Sequence, residues 1–172
     1  AGLILGGVFN GNNIVESAIG GNITVADGGT LSGTSYFSSN VLTSADWGSG
    51  GGNIASGHYL GEVQNEGMIT GGYFYGNDAE HAIGGTIDVL AGHTLGGSSY
   101  FASGVTVQEG GTIVDGTYVC AVTNAGTIED GYFVGSMDNT NGLIRGGYFF
   151  GNDEAHAIGG TIAISSSVLS GT

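Results

Sequence analysis

Two short clusters are the parts of this chain whose residue types could hold a metal ion. Asn77-Asp78-Ala79-Glu80-His81 and Asn152-Asp153-Glu154-Ala155-His156 each place two carboxylates and an imidazole within five residues. Carboxylate oxygens suit calcium, and imidazole suits transition metals. Asp78, Glu80 and His81, with Asp153, Glu154 and His156, are therefore the candidate ligands for calcium or another divalent ion. The internal copies argue against a built site. Glu stands fourth in one cluster and third in the other, and a weaker copy carries Asn12, Asn13 and Ser17 at the corresponding places. A ligand set does not shuffle in this way, so the competing reading is a solvated loop projecting from a scaffold.

No catalytic constellation stands out beside these clusters. A lyase acting on acidic sugars needs grouped carboxylates and a basic residue to stabilise the developing anion, and Arg145 is the one basic residue here. Asp115 and Asp130 fall at equivalent places in successive repeats. They would stack at about 4.8 Å, closer than an inverting glycosidase requires. Gly48-Ser49-Gly50-Gly51-Gly52 lacks the Lys-Ser/Thr of a phosphate loop. Trp47 adjoins this string, and with Tyr73, Tyr132 and Tyr148 it is a candidate for surface contact with a neighbour or a glycan. Cys120 aligns with Val105 and reads as a buried small apolar residue. The chain is expected to be non-enzymatic, with no catalytic residues and no cofactor.

The elements that must position these residues follow from an unusual composition. Of 172 residues, 38 are glycine and none is proline. No three-residue period runs through the glycines, so this is not a collagen. They occur as GG and NG pairs between short runs of Ile, Val and Leu, which is turn punctuation between strands. Fifteen acidic residues face one basic residue, for a net charge of -14. Such a chain repels phosphate backbones and anionic membranes, so nucleic acid is excluded as a partner. One cysteine allows no internal disulfide. No apolar run is long enough for a membrane-spanning helix, and no signal peptide is visible.

Internal repeats carry the fold. GGYFYGNDAEHAIGGTI at 71–87 and GGYFFGNDEAHAIGGTI at 146–162 are nearly identical and start 75 residues apart. GGVFNGNNIVESAIGGNI at 6–23 is the weaker copy. Within these super-repeats lies a shorter period of 15–18 residues. VTVQEGGTIVDGTYV at 105–119 aligns without a gap on CAVTNAGTIEDGYFV at 120–134, which sets Val107 on Val122, Ile113 on Ile128 and Tyr118 on Phe133. Each unit reads as a V-x-V strand, a Gly-rich corner, a T-I strand, a second corner and an aromatic strand. Unit length and pattern predict an all-β fold, a single-chain parallel β-solenoid of right-handed coils with longer loop-bearing coils. Roughly nine coils, like residue over like residue, would give a rod of about 40 Å. One ring of each aromatic pair should point inward and the other outward. The whole of 1–172 is expected to be one solenoid domain, uncapped at both ends, with super-repeats at about 1–70, 71–145 and 146–172. Uncapped ends imply end-to-end self-association into fibres or continuation of a longer chain.

The units GGTLSGTSYF, GGTIVDGTYV, NAGTIEDGYF and NGLIRGGYFF resemble repeats of bacterial cell-surface β-solenoids, in particular the passenger repeats of AIDA-type and filamentous-haemagglutinin-type adhesins. The resemblance covers nearly the whole chain. It implies a secreted, cell-surface protein that serves in surface structure, as a segment of a fibre or filament, or in adhesion to a glycan or host surface through projecting loops.

Overall fold

The protein is described by a computed structural model, which covers residues 4–45, 51–164 and 169–172. The β-branched and aromatic runs form short strands of two to four residues, all paired in parallel, with glycine-rich corners between them. The chain coils around a single axis and visits three flat faces in turn. The first face stacks eight strands: Gly7–Phe9, Thr30–Gly33, Asn53–Ile54, Met68–Ile69, Thr86–Val89, Val105–Val107, Val122–Asn124 and Met137–Asp138. The second face stacks eight strands, from Tyr36–Phe37 to Thr161–Ile162. The third carries two sheets. One holds Ile23–Val25, Val41–Thr43 and Val63–Asn65, and the other runs from Tyr100–Phe101 to Leu169–Gly171. The fold is an all-β parallel β-solenoid of about eight coils, and seven spacings of ~4.8 Å make it about 34 Å long.

The core is a set of side-chain columns along the axis. Inward positions alternate with outward ones in most strands, so Val105 and Val107 are buried while Thr106 faces water. The inward rings form ladders. Phe37, Tyr59 and Phe74 stack with centroids 5.1–5.2 Å apart, and Phe101, Tyr118, Phe133 and Phe149 stack at 4.8–4.9 Å. Such contacts contribute about 0.5–1.5 kcal/mol each beyond the burial of the rings. The buried hydroxyls of Tyr59 and Tyr118 donate to the carbonyls of Ser56 and Asp115, and burial raises both phenols far above their ordinary range.

The register differs from the gapless repeat alignment in one strand. Val122 lies on Val105, and Val107 lies on Asn124. The strands beyond the corner keep the expected match of Ile113 to Ile128 and Tyr118 to Phe133. The cause is corner length. Val107 is followed by the four-residue corner Gln108–Gly111, whereas Asn124 is followed by Ala125-Gly126 alone. The Asn124 side-chain oxygen accepts the Gly126 N–H and closes the turn in two residues. Cys120 consequently occupies a corner rather than the place of Val105. It is buried there, and burial raises its thiol to about 11.

Like does not lie over like throughout. Gly7 pairs with Leu31, Gly72 with Leu95, and Gly147 with Leu169. At the first two of these places an aromatic strand stacks on a T-L strand, and at the third on Leu169–Gly171. The strand classes have advanced by one face. In the lower coils, T-I-type strands lie on the first face and aromatic strands on the second. In the upper coils, T-I strands lie on the second face and aromatic strands on the third. Each super-repeat adds one side to a whole number of three-sided coils, and the added side falls in the Asn-Asp segment.

Candidate functional site

The added side is built around one asparagine per copy, buried at Asn77 and half-buried at Asn152. Asn77 is 4% exposed. Its side-chain oxygen accepts the Val63 N–H at 3.0 Å, and its amide donates to the Val63 carbonyl at 3.0 Å and the His81 carbonyl at 2.7 Å. A primary amide thus makes the two bonds that a neighbouring strand would have made. Asn152 repeats this on Met137, accepting its N–H at 2.8 Å and donating to its carbonyl at 2.9 Å, and it also donates to the His156 carbonyl. Ile83 then enters the third face as a single residue bridged to Phe101, just as Ile19 enters the second face bridged to Phe37.

A second asparagine secures the far side of each junction. Asn65 donates to the carbonyls of Gly84 at 2.9 Å and Thr86 at 3.3 Å. Asn139 donates to those of Gly159 at 2.8 Å and Thr161 at 3.5 Å. The glycine that follows has φ of +75° in both copies, at Gly85 and Gly160, and a Cβ there would run into Asn65 or Asn139. Each junction is also the point where the ring ladder turns. Phe9 meets Phe37 edge-on at 83°, and Phe74 meets Phe101 edge-on at 90°, because the inward ring of the next aromatic strand now comes from the adjacent face.

The candidate metal ligands lie on the outer side of this junction. Asp78 caps the loop by accepting the N–H groups of Glu80 and His81, and its carboxylate also meets the His81 ring Nδ1 at 2.8 Å. That hydrogen bond, with the accompanying charge attraction, holds Asp78 below the usual carboxylate value and raises His81 above the usual imidazole value. Asp153 accepts the His156 N–H at 2.9 Å and meets its Nδ1 at 2.6 Å, closing the one-turn helix Glu154–His156. The carboxylate and the imidazole are therefore spent on each other. The Glu80 and Glu154 carboxylates form no hydrogen bond with either pair, and Glu80 acts on His81 only through its charge. Among the described residues, no three His, Cys, Asp or Glu side chains converge. An open groove accompanies both junctions, of about 300 Å³ beside Gln64, Glu66 and His81 and about 430 Å³ beside Asp138, Thr140 and His156. The asparagine and histidine of the lining repeat as Asn65/Asn139 and His81/His156, whereas Gln64 and Glu66 are replaced by Asp138 and Thr140.

The surface rings fall into columns. Tyr36, His58 and Tyr73 stack face to face on the second face, with centroids 4.3 and 4.7 Å apart, and Tyr132 and Tyr148 stack at 4.6 Å on the third. Burial between the tyrosines lowers His58. Rings stacked in this way present edges and hydroxyls to solvent and keep their faces for one another. Trp47 lies outside the described residues. Asp115 and Asp130 each accept the N–H of the following glycine and so serve the corner turn. Comparison with protein-family models, curated proteins and solved structures finds no match.

In the sequence the ionisable neighbours of Asn77 and Asn152, rather than the asparagines, form the conspicuous pattern. A signal was present. Asn65 and Asn77 recur as Asn139 and Asn152, while the glutamates that follow, Glu80 and Glu154, stand at different places.

Proposed function

We propose that the chain is a non-enzymatic, extracellular structural protein, a rod segment of a surface fibre or filament. One observation carries this reading. What the two close internal copies keep is what closes the junction, the exposed Asp–His pairs included, and what they vary is exposed and takes no part in that closure. Asn77 and Asn152, the Asp–His loop closures and the glycine pairs recur, whereas Glu80 is replaced by Ala155 and Gln64 by Asp138. A ligand set would keep its full complement of exposed groups, and the glutamates are not kept in place. The solid columnar interior and the single basic side chain, Arg145, suit a protease-exposed scaffold. The resemblance to AIDA-type and filamentous-haemagglutinin-type passenger repeats points to the same setting.

Adhesion to a glycan is the competing reading. Sugar stacking needs open ring faces, and Tyr73, Tyr132 and Tyr148 spend theirs in columns. The test is immunogold imaging of cells that produce the protein, together with a glycan array. Label along extracellular fibres with no glycan retained is the expected result. Label confined to the cell interior, or saturable retention on a defined glycan, would overturn the structural reading.

A further inference from the structure

Of the four histidines, His58 and His93 line one groove of about 220 Å³ at the corner between the first and second faces. Each departs from its repeat. His58 stands where other units carry Tyr73, Thr117, Tyr132 or Tyr148, and His93 stands where they carry Gly29, Gly111 or Gly126. A Cβ at any of those three glycines would run into a backbone carbonyl oxygen. A side chain fits at His93 because the corner beneath it is the short Thr70-Gly71. Gly71 has no side chain of its own, and a Cβ there would lie 3.0 Å from that of His93.

The His58 ring is clamped. It lies flat between Tyr36 and Tyr73, with centroids 4.3 and 4.7 Å away and planes within 8°, and Tyr75 stands farther out at 6.3 Å. Its Nδ1 is shut off from water and has no hydrogen-bond partner, and the same holds for Nδ1 of His93. A neutral ring tolerates this, because its Nδ1 can carry a lone pair in place of a proton. An imidazolium does not. Both of its nitrogens are donors, so an Nδ1–H would be buried without an acceptor.

The surroundings supply none. Among the described residues, no carboxylate lines the groove. The titratable groups that face His58 from the packed strands and the corner are Tyr36, Tyr73, Tyr75 and His93. Asp115 lies beyond, where its charge acts on Tyr75. Burial alone holds His58 below the ordinary 6.5. Attraction of a cation to two tyrosine faces works the other way. It is the smaller effect, because a buried charged donor without a partner loses more than such contacts return.

We propose that His58 is an acid-sensitive joint in the rod: once protonated, its ring leaves the Tyr36–Tyr73 column for water, and the outer column of the second face opens at that coil. The inner column of Phe37, Tyr59 and Phe74 lies on the other side of the sheet and keeps the coils stacked. The contribution of the neutral ring to stability is complete above pH 6.5 and is lost as pH falls through the lowered folded value. The sign is opposite to that of His81, which gains from protonation through Asp78.

Proton NMR titration of the histidine rings, with near-UV circular dichroism of the tyrosines from about pH 8 to about pH 4.5, tests this. The expected result is a His58 midpoint below 6.5, with the Overhauser contacts of His58 to Tyr36 and Tyr73 lost through the same transition. His58→Tyr restores a residue that other units carry and keeps a ring in the column without the titrating group. Its near-UV signal should stay level where that of the native chain falls. A His58 midpoint at or above 6.5, ring contacts that persist below the midpoint, or an equal fall in His58→Tyr overturns the joint. Each of these leaves the rod standing if the far-UV β-sheet signal is retained. Absence of that sheet signal from the unmodified chain at about pH 8 would overturn the rod and the joint with it.

Discussion

The coils between junctions and the junctions themselves solve the same problem by opposite means. Within a coil run, Ile113 over Ile128 or Phe133 over Phe149 is held by apolar contact and by a backbone ladder, and the inward groups need no hydrogen bond from their side chains. At a junction the ladder is interrupted, and two asparagine side chains replace the missing strand partners. A repeat rod can thus change the phase of its strands relative to its faces without opening its core, provided each backbone group released is met by a side chain that carries both a donor and an acceptor. A primary amide meets that need.

The comparison can be broken first at Asn77. Asn77→Ala leaves the Val63 N–H and carbonyl buried without partners, which should cost about 2–4 kcal/mol in urea unfolding, and Asn152→Ala should do the same at Met137. Phe133→Ala in the coil body is expected to cost about 3–5 kcal/mol by loss of packing. Asn77→Leu separates the two mechanisms. An apolar residue of similar size suits a coil interior, so a stability equal to that of the native chain would end the claim that the junction is held by hydrogen bonds.

A smaller effect sharpens the contrast between corners. Gly28 and Gly85 share a left-handed conformation, with φ of +73° and +75°. A Cβ at Gly28 meets nothing within 4 Å, whereas at Gly85 it meets Asn65. Gly28→Ala should cost about 1 kcal/mol from backbone strain alone. Gly85→Ala should cost at least about 1 kcal/mol more, since Asn65 must give way. Equal melting midpoints for the two variants would show that the junction glycine is an ordinary corner.

The smallest effect concerns the loop outside the junction. His81 titrates above the ordinary 6.5 because its ring bonds to Asp78, and Asp78 titrates below the ordinary 3.8. The histidine part of the pairing is complete below pH 6.5 and fades as pH rises through the raised value. The aspartate part is complete above pH 3.8 and fades as pH falls through the lowered value. Loop order should therefore be greatest between about pH 4 and 6.5. A proton NMR titration of the His81 ring should show a raised midpoint that returns toward 6.5 in Asp78→Asn. An unchanged midpoint would remove the pairing.

The parallel coil was legible because turn glycines and β-branched pairs recur at 15–18 residues. So was the inward placement of one ring per aromatic pair. The two-residue slip of Val122 was not, because a short Asn-x-Gly corner and a long Gly-Gly corner produce similar repeat lengths in sequence. The change of face was hidden for a related reason. A period in sequence counts residues, whereas the solid counts sides, and a segment such as Gly76–Gly85 can supply a side through a single bridged isoleucine. The Asp–His clusters were visible by type, but their type suggested a ligand set, when their geometry closes a loop over a buried asparagine.

The most direct test of the change of face is amide-to-Hα contact mapping by nuclear Overhauser spectroscopy across the junction between Gly72–Phe74 and Tyr100–Phe101. The account predicts contacts of the Gly72–Phe74 strand with Leu95 and Gly96, and of Ile83 with Phe101. Contacts running instead from Tyr73 to Tyr100 and from Phe74 to Phe101 in one continuous ladder would mean that like lies over like through the junction, and would contradict it.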